Sequence, residues 1–204
     1  MNENGLLMER LSGKEKNTMV YVFLADGFEE IEALTPVDLL RRAGVEVKTV
    51  SIYPDRKNVT GARAIAVMAD ITIDDVDTGG ADILVLPGGM PGTVNLLECQ
   101  TLMDMVDSQN EQGKRIAAIC AAPMALGAVG LLDGRRFTCY PGCEAAIRGG
   151  EYTDALPVIA DGNILTSRGP GTAIDFGLAI VERIVSREAA LRVAKGMLYA
   201  NFRN

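Results

Sequence analysis

A chain of 204 residues, 48% of them apolar, holds enough hydrophobic material for one sizeable core. Its 27 acidic and 20 basic residues leave a formal charge of −7, and no run of Lys or Arg stands out, which argues against nucleic acid as a partner. The absence of histidine excludes a Cys-His pair, a Ser-His-Asp triad and any histidine-ligated zinc. The apolar runs are too short to cross a bilayer, and no secretory leader pattern opens the chain. Four cysteines, Cys99, Cys120, Cys139 and Cys143, do not form a disulfide framework, so a reduced cytoplasmic setting is expected. The C-x-x-x-C spacing of the last two, without further ligands, does not make a metal site.

Residues 1–18 read as a polar extension, and residues 19–204 as a single domain. Residues 19–25 form an apolar run rich in β-formers, which predicts a strand buried on both faces. Asp26-Gly27 ends it, and residues 28–43 follow with helical periodicity up to Gly44. Pro36 inside this stretch predicts either a kink or a helix boundary, because Thr35 before it and Asp38 after it resemble a cap. Residues 45–52 give a second strand, completing β-α-β with a right-handed crossover. Short extended segments over 60–68 and 70–73 are placed on the sheet's border. Residues 81–86 form another buried strand, ended by Pro87-Gly88-Gly89, and residues 95–112 are mostly helical.

The stretch Arg115-Ile116-Ala117-Ala118-Ile119-Cys120-Ala121-Ala122-Pro123 organises the rest. A strand-like run stops at a cysteine, small residues allow a tight turn, and a helix follows over 124–129. That layout lifts a thiol above the sheet and aims it at a helix start, where backbone N–H groups favour the thiolate. Taken alone, the stretch fits a small buried cysteine equally well. Further on come a short strand over 137–140, a short helix over 142–147, a hairpin over 156–167 turning at Asp161-Gly162-Asn163, and helices over 172–185 and 188–202. Strands alternating with helices predict an α/β three-layer sandwich.

Ligands of open α/β sheets bind at the carboxyl ends of the strands, where three of these strands carry notable residues. Glu29, Glu30 and Glu32 open the first helix. The first two read as compensation of the helix dipole. Glu32 falls on the face of Phe28, Ile31 and Thr35 and so points toward the sheet's top. A buried carboxyl near a thiolate would hold a proton, since two anions in a low dielectric repel, and would donate a hydrogen bond to the sulfur, holding it as thiolate. The N–H groups of Gly89 and Ala121 could bind a developing oxyanion, although Pro-Gly-Gly also makes an ordinary turn.

The segments ADGFEEIEALTPVDLLRRAG, VLPGG, AAICAAP and LTSRGPGTAIDFGLAIVE together resemble the ThiJ/PfpI superfamily, in particular its Parkinsonism-associated deglycase (DJ-one) branch. The resemblance implies a flavodoxin-like α/β/α sandwich with a mostly parallel sheet and a nucleophile elbow, assembled as a homodimer. It implies Cys120 as nucleophile, Glu32 as its acid/base partner, and Gly89 and Ala121 as backbone donors. Gly88, Arg63 and Tyr140 are implied as substrate contacts, with Arg63 reaching from the dimer partner in some members. Tyr140 stands where many members carry a histidine, so histidine-assisted amidase or protease chemistry is not expected.

The leading expectation is therefore a glyoxalase or deglycase that needs no cofactor and acts on reactive dicarbonyls or their glycation adducts. One alternative is a redox-sensing protective protein working through oxidation of Cys120. Another is a ThiJ-type role in thiazole phosphate metabolism, which lacks a phosphate-cradling glycine loop. Gly169-Pro170-Gly171 precedes a helix and could hold an anion, but the fold alone accounts for it.

Overall fold

The computed structural model describes residues 18–202, so the polar stretch 1–17 lies outside the described residues. Strand β1 (Met19–Leu24) is an interior strand, next to the central one, of a seven-stranded sheet in the order β10-β11-β7-β6-β1-β2-β5. Its neighbours are β2 (Glu46–Ser51) and β6 (Ala81–Leu86), both parallel to it. Beyond β6 come β7 (Arg115–Ile119) and β11 (Ile164–Ser167), also parallel, while β10 (Val158–Asp161) pairs antiparallel with β11. The two-residue strand β5 (Ile71–Thr72) closes the other edge.

The central strands are apolar on both faces because both faces are covered. Val20, Val22 and Leu24 of β1 enter one core, and Tyr21, Phe23 and Ala25 enter the other. The first core is capped by α1 (Glu30–Arg42), α5 (Ala173–Ile184) and α6 (Arg187–Gly196). The second is capped by α2 (Gly92–Glu98), α3 (Gln100–Glu111) and α4 (Pro123–Ala128). This is the flavodoxin-like three-layer sandwich with a mostly parallel sheet.

The chain leaves β1 toward β2 on one side and later returns to β6 on the other. The switch point of the sheet is thus the β1/β6 boundary, with β7 next to it, and the three strand ends singled out in the sequence lie side by side.

Several boundaries differ from expectation. Helix α1 runs through Pro36 without a boundary. The proline forfeits one bond within the helix, but the helix is held by close packing on α5: a Cβ built on Gly177 would come within 3.1 Å of Pro36 Cα. The stretch 95–112 is two helices that meet at Cys99, whose extended backbone (φ −80°, ψ 92°) ends the first and opens the second. Residues 58–68 form a separate hairpin, β3 (Asn58–Thr60) with β4 (Ala66–Met68), rather than bordering the main sheet. The strand expected over 137–140 reduces to β8 (Arg136–Phe137), paired with β9 (Glu151–Tyr152), and the segment over 142–147 is a 3-10 turn, Cys143–Ala146. The last helix ends at Gly196 instead of 202. The hairpin of β10 and β11 forms as its turn residues predict, with Gly162 at φ +57°.

Candidate active site

Strand β7 ends at Ile119, and Cys120 takes φ 66°, in the left-handed region that residues other than glycine rarely enter. Its surroundings hold it there. The Cys120 N–H donates to Ser167 O at 2.9 Å, and the Cys120 carbonyl accepts from Tyr140 N at 2.8 Å. Ala121 and Ala122 are buried in the turn, where larger side chains would not fit, and Pro123 starts α4. Backbone strain of this kind costs on the order of 1–3 kcal/mol and here aims one half-buried thiol into the notch at the sheet's edge.

Glu32 reaches the same notch from α1. The side chain has no exposed surface, and its Oε2 accepts the Gly88 N–H at 3.0 Å. Gly88 is the spacer: a Cβ built on it would lie 2.6 Å from Cys120 Cβ and 2.7 Å from Glu32 Oε2. Only glycine lets the carboxyl and the thiol approach each other. Burial pushes the Glu32 carboxyl up to about 7, with a smaller push from the charge of Glu29. The Cys120 thiol and the Gly88 N–H act in the opposite direction.

The thiol was expected to be lowered by the helix start. Burial and the negative charge of an ionised Glu32 instead push it up, while the N–H groups of Ala121 and Gly89 pull it down. When Glu32 holds its proton, that opposing charge is gone and the two N–H groups still face the sulfur. The geometry therefore favours one negative charge and one proton across the pair. Glu32 Oε1 is buried and has no hydrogen-bond partner among the described residues. It faces Gly169, on which a Cβ would lie 3.8 Å away.

The residues expected around this pair divide into two groups. Gly88, Gly89 and Ala121 are brought to Cys120. Tyr140 is pinned to Cys120 through its backbone, and its ring, 51% exposed, borders Gly169. Arg63 is not brought to the pair within the protomer. Its guanidinium lies 3.6 Å from Glu29 Oε2, and its backbone N–H donates to Glu30 Oε1 at 2.8 Å.

Glu29 and Glu30 stand at the start of α1, where they can compensate the helix dipole, and both are also buried. Glu29 is the cap residue of α1, and Glu30 ties down the loop between β3 and β4 through Arg63 N and Ile65 N. Gly61 leaves room for that carboxyl, a close approach that spacing alone does not reveal. Ser167, Gly169 and Thr172 also escaped notice as neighbours of the site. Ser167 Oγ and Thr172 Oγ1 lie 2.7 Å apart, and the Gly169 N–H donates to Thr172 Oγ1 at 3.1 Å, which holds the loop after β11 against the elbow.

Two clefts of about 540 and 560 Å³ run along α6 and the C-terminal segment, lined by residues such as Leu191, Tyr199 and Phe202, and neither includes Cys120 or Glu32. Among the described residues no group of three or more acidic or cysteine side chains is placed to hold a metal ion. No described helix is long and apolar enough to cross a membrane.

The sequence and the fold have counterparts among known proteins. Residues 18–183 match the model of the DJ-1/PfpI family. Protein dj-1beta of Drosophila melanogaster is 39% identical over 180 residues, covering 88% of this chain and 96% of that protein. The glutathione-independent glyoxalase DJR-1.2 of Caenorhabditis elegans is 35% identical over 174 residues, covering 84% and 91%. The crystal structure of Drosophila DJ-1beta superposes with a TM-score of 0.86 at 37% identity, covering 90% of this chain and 99% of that one. The chain belongs to the DJ-1/PfpI family.

Proposed function

We propose that the chain is a cofactor-independent glyoxalase that uses Cys120 as nucleophile and Glu32 as acid and base on small α-oxoaldehydes such as methylglyoxal. The observation that carries this reading is the fully buried Glu32 carboxyl, raised to about 7 and set against the Cys120 thiol across Gly88. A group poised near neutral pH can both give and take a proton. The similarity to a protein named as a glutathione-independent glyoxalase supports the same chemistry.

In this mechanism the sulfur adds to the aldehyde carbon, and the carbonyl oxygen becomes the hydroxyl of a hemithioacetal. The Gly89 and Ala121 N–H groups hold that oxygen while it carries charge. Glu32 removes the proton from the former aldehyde carbon and returns one to the neighbouring carbon, which converts the adduct into a thioester of lactate. Water then cleaves the thioester, releasing lactate and the free thiol, so that methylglyoxal plus water gives lactic acid. The same thiol and carboxyl could act on early glycation adducts.

Residues 19–204 act in this proposal as one domain, in the cytoplasm, paired with a second copy. Ile31 and Leu34 on α1 are 52% and 36% exposed, and Ile65 and Met68 on the adjoining hairpin are 53% and 73% exposed. Such an apolar patch suits burial against a partner.

The test is lactate release from methylglyoxal by wild type, Cys120→Ser and Glu32→Gln. The proposal expects turnover in wild type and a loss of at least ~10²-fold in each variant. Equal rates in all three would remove it.

A further inference from the structure

The end of the sheet opposite the notch carries a cleft of a different character. Three parallel strands begin there: Asp82 stands at the start of β6, Lys114 and Arg115 at the start of β7, and Asn163 just before β11. Their registers, Ile83 with Arg115 and Ile116 with Ile164, keep these starts side by side. Arg183, in the last turn of α5, reaches the same place, and together these residues line a cleft of about 360 Å³. Strand β7, five residues long, separates it from Cys120 by roughly 16 Å.

The cations of this cleft are held differently from most others in the molecule. Arg41, Arg42, Arg56, Arg187 and Arg192 each lie 3.0 Å or less from a carboxylate oxygen. Lys114, Arg115 and Arg183 are half-buried and have no ion pair among the described residues. Main-chain carbonyls orient two of them instead. Lys114 Nζ donates to Thr78 O and Gly79 O, both at 3.0 Å, and Arg183 Nη2 donates to Gly162 O at 2.7 Å. The Arg115 side chain makes no hydrogen bond among the described residues. Asp82 is the one carboxylate of the lining, and it accepts the Met19 N–H at 3.1 Å.

Three cations against one carboxylate leave the lining with a charge of +2, in a chain whose formal charge is −7. Like charges drawn partly out of water around one space repel each other, and an anion among them relieves that repulsion. A concave site lined mainly by one sign also concentrates counter-ions. Two guanidinium forks and an ammonium suit the terminal oxygens of a phosphate group, whose charge of about −2 near neutral pH matches the lining. Gly113 borders the cleft, and a Cβ built on it would meet nothing within 4 Å, which leaves room for an organic group beside the phosphate.

We infer that this cleft is a binding site for a small phosphate monoester, held by Lys114, Arg115 and Arg183. The positive charge is confined to one cleft rather than spread along a surface, which fits a small molecule and not a nucleic acid. The inference goes beyond the glyoxalase reading and does not depend on it.

The experiment follows the amide resonances of 15N-labelled protein during titration with glycerol 3-phosphate, at ionic strength held constant with sodium chloride. The expected result is saturable shifts at residues 113–115 and 162–163. Neutral glycerol should leave these resonances in place, and glycerate, which carries a carboxylate instead of a phosphate, should bind at least about tenfold more weakly. Arg115→Gln and Arg183→Gln should each weaken glycerol 3-phosphate by at least about tenfold, and Arg115→Lys by less, because it keeps the charge and loses the fork. Arg192→Gln, whose arginine pairs with Glu188 outside the cleft, should bind as wild type does. Should the glutamine variants fail to fold, the wild-type titration and Arg115→Lys still decide. Absence of saturable shifts at the cleft in wild type would overturn the inference. So would shifts centred on Gly89 and Cys120, glycerate binding as tightly as glycerol 3-phosphate, or unchanged affinity in both folded glutamine variants. Binding is read without turnover, so this result and lactate release stand or fall separately.

Discussion

A carboxylic acid with no surface in water, Glu32, sits beside a thiol and has a hydrogen bond from Gly88 but no cation beside it. Its ordinary value of 4.5 rises to about 7 in the fold, which sets the sign of a stability effect. Below pH 4.5 the group is protonated in both folded and unfolded chains and costs nothing. As pH rises from there through about 7, the unfolded chain ionises first and the fold loses stability, up to about 3 kcal/mol, with no further loss above. Denaturant titrations from pH 4.5 to 8 should show this loss in wild type, and Glu32→Gln should flatten it. A wild-type curve that gains stability across that window and is unaffected by Glu32→Gln would refute the assignment. Gly88→Ala should separate the pair, because its Cβ would collide with both Cys120 and Glu32. The expected result is a stability loss of about 1–3 kcal/mol and loss of lactate formation, measured by thermal unfolding and product assay. At this scale the juxtaposition of Cys120 and Glu32 was legible only in part: Cys120 is marked by small residues after a strand, whereas the face on which Glu32 was grouped with Phe28, Ile31 and Thr35 is not uniformly buried, since Ile31 is 52% exposed while Glu32 is fully buried. The sequence did not show the burial of Glu29 and Glu30. Their neighbours come from a hairpin more than thirty residues away, and a first-turn glutamate looks the same whether it meets solvent or Arg63 N.

Helix α1 carries Glu32, so its position sets the site. It packs on α5 where Gly177 lets the two backbones approach, and a Cβ there would come within 2.6 Å of Leu39 Cδ1. Gly177→Ala should push the helices apart, destabilise the protein by about 1–3 kcal/mol and lower turnover through displacement of Glu32. Retained stability with full activity would mean that α1 has slack. Helix α6 opens on Ser186, whose side chain accepts the Ala189 N–H at 3.1 Å. Ser186→Ala should cost about 1 kcal/mol while leaving lactate release unchanged, since the cap lies away from the notch. The strands were legible because they are apolar runs cut by glycine and proline, and the β10–β11 hairpin because its turn residues demand it. The continuity of α1 through Pro36 was not, since local signals favour a break there and only the contact with α5 overrides them. The break at Cys99 left no mark in the periodicity on either side.

The whole molecule brings three strand ends together because β1, β6 and β7 are neighbours in the sheet. Alternation of strand and helix predicted an α/β sandwich and the family resemblance implied its flavodoxin-like form, but the adjacency of these three strands was left conditional by the residues themselves. Which apolar residues stay outside the core was not foreseeable, because Ile31 and Leu34 share a periodic helix with buried Ala33 and Val37. If the patch they form with Ile65 and Met68 is a self-association surface, Ile31→Lys combined with Met68→Lys should shift sedimentation toward the monomer. A sedimentation profile identical to wild type would contradict the pairing. The central claim, one proton held between Glu32 and Cys120, is tested most directly by isotope-edited infrared spectroscopy on protein with labelled glutamate. The account predicts one protonated carboxyl band at pH 5.5 that is absent from Glu32→Gln and disappears as pH rises through about 7. A Glu32 already ionised at pH 5.5 would contradict it.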